Sequence, residues 1–231
     1  MKTIGLIGGT SWFSTLDYYR ILNETINQRL GENHSAKIIL HSVDYGEIVP
    51  LTHAGDWDAI AGIMIKAAKG VELAGADCVL LCANTMHHIA QEVQQAVNIP
   101  LLHIADAVAT EIKKNKISTV ALLGTKYTMQ LPFYKNKLLQ AGIKTLIPGE
   151  AGIKYVNDAI YNEMGKGVFV NDTRKAILEI MQQLHLEGAE GFIMGCTELP
   201  MIIKPEQTPL LLFDTTFIHC IAAVDFAFGQ A

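Results

Sequence analysis

The sequence predicts an α/β protein of two pseudosymmetric lobes, each a parallel sheet with flanking helices, with an active site in the interlobe cleft. Three observations lead there. Short apolar runs that suit buried parallel strands alternate with stretches whose apolar residues recur at helical spacing. The second half of the chain repeats features of the first. The 231 residues fit one large domain or two small ones, and a composition 50% hydrophobic and 18% charged supports a packed core.

Ile4 to Ile7 is an apolar run ending at Gly8-Gly9 and reads as the first strand. Ser14-Thr15-Leu16-Asp17 resembles a capping box, and Tyr19, Leu22, Ile26 and Leu30 follow with helical periodicity. Ile38-Ile39-Leu40 opens a second strand. Ile60, Met64, Ala67, Ala68 and Val71 make one face of a second helix. Asp77 to Leu81 is a third strand that runs directly into Cys82, and Met86 to Val97 reads as the helix after it.

The repeat comes in three matched segments in the same order. Thr3-Ile4-Gly5-Leu6-Ile7-Gly8 matches Thr119-Val120-Ala121-Leu122-Leu123-Gly124. Asp77-Cys78-Val79-Leu80-Leu81-Cys82 matches Gly191-Phe192-Ile193-Met194-Gly195-Cys196. Pro100-Leu101-Leu102 matches Pro209-Leu210-Leu211, and each of these runs soon reaches an aspartate, Asp106 or Asp214. A general likeness among α/β units explains the apolar runs. It does not explain a cysteine at the end of the third strand in both halves. The Pro-Leu-Leu runs are read as crossings between the two lobes.

A formal net charge of −5 without a basic stripe argues against a nucleic-acid partner. No run of about 18 apolar residues occurs, so no membrane span is expected. The first apolar run is too short for a signal-peptide core, and the chain is expected to be cytoplasmic. There the four cysteines, Cys78, Cys82, Cys196 and Cys220, should be free thiols. No C-x-x-C is present, and His87 and His88 have no matching Cys/His cluster near Cys196, so no metal site is expected. Gly5, Gly8 and Gly9 do not fit G-x-G-x-x-G, and no G-K-[ST] occurs, which argues against a nucleotide cofactor. No pattern marks a pyridoxal phosphate lysine, and no cofactor is expected.

Ligands of open parallel sheets bind at the carboxyl ends of the strands, where Cys82-Ala83-Asn84-Thr85 and Gly195-Cys196-Thr197-Glu198 are expected. Gly8-Gly9-Thr10-Ser11 and Gly124-Thr125 end the first strand of each half, with glycines that permit close backbone approach and hydroxyls that hydrogen-bond. A buried cysteine is often only a small hydrophobe, and that reading suits Cys78 and Cys220. The equivalent positions of Cys82 and Cys196 beside polar residues suit chemistry better. Two thiols match a reaction that removes an α-proton from one face of an amino acid and returns one to the other. Nearby helix N-termini are expected to lower a thiol pKa and to hold a substrate carboxylate.

With Gly5-Leu6-Ile7-Gly8-Gly9-Thr10-Ser11-Trp12, Cys82-Ala83-Asn84-Thr85-Met86-His87, Leu123-Gly124-Thr125, Gly195-Cys196-Thr197-Glu198-Leu199 and Phe213-Asp214-Thr215-Thr216, the chain resembles the aspartate/glutamate racemase family over nearly its whole length. The Cys-x-Asn-Thr-Met-His and Gly-Gly-Thr-Ser-Trp forms look closer to the enteric branch, which includes an L-aspartate/glutamate racemase and broad-specificity relatives. The resemblance implies a pyridoxal-phosphate-independent racemase, commonly a homodimer, with Cys82 and Cys196 as the acid/base pair. Taken with the repeat boundaries, it implies that residues 1–100 plus 208–231 form one lobe and residues 101–207 the other. It implies that Asn84, Thr85, Thr125 and Thr197 hold the α-carboxylate and amino group, with Thr10 counted among the substrate-binding residues. By the same resemblance, Lys166 would match a basic position that aspartate racemases use for the distal carboxylate. The second basic position of aspartate racemases is missing, because His41 to Pro50 contains neither Arg nor Lys. His87, His88, His103 and His219 are candidates to tune a thiol, though packing is their commoner role. Hydantoin racemases and maleate isomerases share the two-thiol pattern and are alternatives. A two-lobed protein that clamps an amino acid without reacting with it is a third.

Overall fold

The computed structural model describes residues 1–230. The expected first lobe ends on Ala231, which lies outside the described residues. The chain divides into two compact units, Met1–Ile104 with His219–Ala231, and Ala105–Ile218.

The first unit contains β1 (Ile4–Gly8), α1 (Trp12–Leu30), β2 (Ile38–Ser42), α2 (Tyr45–Ala54), α3 (Trp57–Leu73), β3 (Cys78–Leu81), a 3-10 turn (Thr85–Ile89) and α4 (Ala90–Gln95). Its parallel sheet has the order β2-β1-β3, and a parallel bridge from Val79 to Leu101 extends it past β3. Side chains alternate across a strand, so the two faces bury different residues. Ile7, Val79 and Leu81 pack with Ile60, Met64 and Val71 of α3. Ile4, Leu6, Cys78, Leu80 and Cys82 pack with Tyr18, Leu22 and Ile26 of α1. Cys82 thus continues the face of Cys78 and Leu80. The predicted face of α3 is fully inside, and each large aliphatic chain there stabilises the fold by about 1.5–3 kcal/mol.

The second unit contains nearly all of α5 (Ile104–Lys114), then β4 (Thr119–Gly124), α6 (Lys126–Gln130), α7 (Pro132–Gln140), β5 (Lys144–Leu146) and α8 (Glu150–Asn162). After a 3-10 turn (Met164–Lys166) come α9 (Asn171–Leu186), β6 (Gly191–Gly195), α10 (Leu199–Ile202), another 3-10 turn (Pro205–Gln207) and β7 (Leu211–Asp214). The last helix, α11 (Thr215–Ala227), starts here and continues into the first unit. The sheet order is β5-β4-β6-β7, again all parallel. With the Leu101 bridge standing for a fourth position, both sheets follow one topology. The α/β class with two parallel sheets and flanking helices is therefore as the sequence predicts.

Several local readings are corrected. Residues 208–218 belong with the second unit, because β7 hydrogen-bonds to β6 from Gly191↔Leu211 to Met194↔Asp214. The chain changes unit at Ile104/Ala105 and Ile218/His219, inside or at the start of helices rather than at the prolines. The helix predicted to begin at Ser14 begins at Trp12, with Ser11 as N-cap at φ 84. The Ser14 and Thr15 hydroxyls lie in its first turn and donate back to the Ser11 carbonyl. Residues read as one helix from Met86 to Val97 split into a 3-10 turn and the six-residue α4, with Ile89 at φ −107 and ψ 20 between them. Helix α2 was not foreseen; Asp44 caps it by accepting from the Gly46 N–H. Among the described residues no helix is long and apolar enough to cross a membrane.

Candidate active site

Each unit carries a thiol at the carboxyl end of the strand next to its first strand. In the first unit β1 and β3 run in register from Ile4↔Cys78 to Ile7↔Leu81, so Thr10, Cys82, Asn84 and Thr85 leave neighbouring strand ends. The Cys82 N–H donates to the Ile7 carbonyl at 2.9 Å. Gly9 turns the chain at φ 89, where a Cβ would lie 2.0 Å from the Val43 carbonyl oxygen. Its N–H donates to Thr15 Oγ1 at 2.9 Å. Thr10, Asn84 and Thr85 are all buried, and Cys82 is 1% exposed.

The second unit repeats this on β4 and β6, paired to Gly124↔Gly195. Thr125, Cys196 and Thr197 leave those ends. A Cβ on Gly195 would sit 2.7 Å from the Leu123 carbonyl oxygen, so this glycine lets the strands that deliver Thr125 and Cys196 approach closely. Thr125 caps α6 through its hydroxyl, which accepts from the Thr128 N–H at 3.3 Å. Cys196 and Thr197 are half-buried. Lys166 lies outside the strands themselves. It is exposed on the 3-10 turn after α8, where its N–H donates to the Glu163 carbonyl.

Sequence reasoning passed over Glu198. This carboxylate is 6% exposed, and its Oε2 accepts from Cys196 Sγ at 2.8 Å and from Thr197 Oγ1 at 2.9 Å. The available signal was an acid two residues beyond the thiol in Gly-Cys-Thr-Glu. Three of the four candidate histidines, His87, His103 and His219, also cluster. The His87 ring lies 4.7 Å from that of His103 and 5.5 Å from that of His219. His88 instead packs edge-on against Trp57. Among the described residues no group of His, Cys, Asp and Glu is arranged to hold a metal ion.

The expectation that helix N-termini lower the thiol pKa values is overturned. Burial pushes Cys82 above the ordinary thiol range. Cys196 is pushed well above it by burial first, then by the charge of Glu198 and the hydrogen bond to it. Desolvation disfavours a thiolate; at Cys196 it outweighs the Thr197 and Glu198 backbone N–H groups, which lower the value, and at Cys82 it acts alone. Cys78 and Cys220 are core residues, and burial raises Cys78 to about 12.

The family model described as Asp/Glu/Hydantoin racemase matches residues 7–223. A crystal structure from Yersinia pestis, provisionally described as an Asp/Glu racemase, is 42% identical over 99% of this chain and 100% of its own, with a TM-score of 0.93. An aspartate racemase homologue from Pyrococcus horikoshii is 36% identical over the same shares, with a TM-score of 0.87. The Bacillus subtilis broad specificity amino-acid racemase is 26% identical over 167 residues, 72% of this chain and 71% of its own. The motif resemblance, the shared fold and the full-length likeness agree: the chain belongs to the Asp/Glu/hydantoin racemase family.

Proposed function

We propose that the protein is a cofactor-independent amino-acid racemase of the aspartate/glutamate type, in which Cys82 and Cys196 act on opposite faces of one α-carbon. The observation that carries this reading is the duplicated half-site: in each unit a thiol ends the strand beside β1 or β4, with hydroxyl or amide side chains next to it. Two-sided proton transfer needs one such group per face.

The two halves are not equal. The Cys196 S–H already donates to a carboxylate, so Glu198 can take that proton and leave a thiolate to remove the α-hydrogen. Cys82 has no side-chain hydrogen bond to a carboxylate among the described residues, and burial keeps it a thiol that donates to the other face. After one turnover Cys196 is a thiol again with the substrate hydrogen, Cys82 is a thiolate and Glu198 holds the proton it took; the reverse reaction runs the same transfers backwards, and proton exchange with solvent returns Glu198 and Cys82 to their starting forms. Asn84, Thr85, Thr125 and Thr197 would hold the α-carboxylate and amino group, with Thr10 beside them. Lys166 would meet a distal carboxylate. The aspartate racemase homologue supports aspartate as the leading substrate, and we expect glutamate second, as the Asp/Glu family description allows.

The test is incubation with L-aspartate in heavy water. The expected outcome is α-deuteration together with formation of D-aspartate, both lost in Cys82→Ser and in Cys196→Ser while binding survives. Binding by the wild type with no deuterium uptake would sink the racemase reading in favour of an amino-acid clamp.

A further inference from the structure

Buried imidazoles that the proposed reaction leaves unused lie in the first unit near Cys82. His219 bridges Tyr18 and Leu102, two residues that pack in the same apolar cluster as Cys82. Its Nε2 is 2.7 Å from the Leu102 carbonyl oxygen. A carbonyl only accepts, so Nε2 carries the hydrogen, and the Tyr18 hydroxyl 2.7 Å from Nδ1 must be a donor. The same logic fixes His87: its Nδ1 is 3.0 Å from the Ala83 carbonyl oxygen, so Nδ1 carries the hydrogen. Burial and the neighbouring imidazoles hold His87 well below the usual histidine range, so the ring is neutral.

Ala83 follows Cys82 directly. The peptide on the amino side of Cys82 is held by the bond from its N–H to Ile7. On the other side the Ala83 carbonyl accepts from the His87 ring, while the His87 backbone N–H closes the turn on the Asn84 carbonyl at 3.1 Å. His87 Nε2 is itself buried with no hydrogen-bond partner among the described residues. An aliphatic side chain would fill this volume without an orphaned acceptor. What the ring contributes is the Nδ1 donor.

We propose that His87 is a positioning residue for the Cys82 thiol: its Nδ1–H grips the Ala83 carbonyl and fixes the turn that aims Cys82 and Asn84. This rests on the reading of Cys82 as a reacting thiol. Three variants separate donor from volume. His87→Leu keeps bulk without a donor. His87→Gln keeps polarity, but its amide reaches toward the place of Nε2. His87→Asn puts an N–H where Nδ1 stood.

The readouts are racemisation kinetics and the rate of iodoacetamide labelling of Cys82, with Cys196 in the same molecule as the reference. In His87→Leu and His87→Gln, kcat should fall about tenfold with KM nearly unchanged, the scale of a small misplacement of a reacting group. Cys82 labelling should quicken about fivefold relative to Cys196 as the loosened turn opens. His87→Asn should restore both. The proposal is overturned if Leu and Gln variants label and turn over like the wild type, or if Asn does no better than Gln. Should Leu fail to fold, the Gln and Asn pair decides alone. Wild type without α-proton exchange would overturn the racemase reading instead, and the labelling comparison would still decide the role of His87.

Discussion

Cys82 and Cys196 are the same side chain in unlike surroundings, and the difference sets their expected chemistry. Cys196 shares the carboxylate of Glu198 with Thr197, whereas Cys82 is buried against apolar and neutral groups. Replacing Glu198 by Gln keeps the shape and removes the proton acceptor. We expect kcat to fall by about 10²–10⁴-fold, the usual contribution of a positioned general base, with the circular dichroism spectrum unchanged. Both thiols are held above their ordinary range, so each is almost wholly protonated at neutral pH. The thiolate fraction then rises about tenfold per pH unit, and iodoacetamide labelling of the free protein should follow that slope from pH 7 to 9. A plateau near pH 7 for either cysteine would contradict this account.

At the scale of elements, the turn between β1 and α1 concentrates constraint. Gly9 and Ser11 both have positive φ, 89 and 84. A methyl group on Gly9 would meet backbone of Val43, which cannot move without disturbing the strand end that it follows. Gly9→Ala is therefore expected to cost more than about 3 kcal/mol or to prevent folding, as read by urea denaturation. Ser11 occupies a conformation that glycine adopts freely, and the bonds from Ser14 and Thr15 reach its carbonyl rather than its side chain. Ser11→Gly should raise stability by about 1 kcal/mol in the same assay. In α3, Met64 is fully buried, and Met64→Ala should cost about 2–5 kcal/mol. The α3 face is legible because Ile60, Met64, Ala67, Ala68 and Val71 follow one continuous helical period, and all five are buried. The start of α1 was misread because Ser and Thr serve equally well as N-caps and as first-turn residues that bond back to a carbonyl.

For the whole molecule, the buried imidazoles link folding to pH. Burial lowers His219 from its usual 6.5 to about 4, and lowers His87 well below 6.5. In the unfolded chain both titrate near 6.5, so as pH falls the unfolded state takes up protons that the native state refuses. The stability from keeping these rings neutral is complete above pH 6.5 and is lost as pH drops toward 4. Each ring contributes a slope of about 1.4 kcal/mol per pH unit in that window. Urea midpoints should be level from pH 8 to 7 and fall steeply from 6.5 to 5. His219→Gln, although less stable at pH 7.5, should show a shallower fall. An unchanged slope in that variant would remove His219 from the explanation.

The α/β class, the duplication, the family and both candidate thiols are legible in the order of the amino acids. Those depend on local patterns: apolar runs, helical spacing, and short motifs at strand ends such as Cys82-Ala83-Asn84-Thr85. Tertiary structure alone decided where the units exchange chain, that both thiols are held protonated, and which tautomers His87 and His219 adopt. These follow from burial and from partners far apart in sequence, such as His219 and Leu102, 117 residues away. A pKa is set by the solvent and charges that packing removes or supplies, and no residue spacing records them.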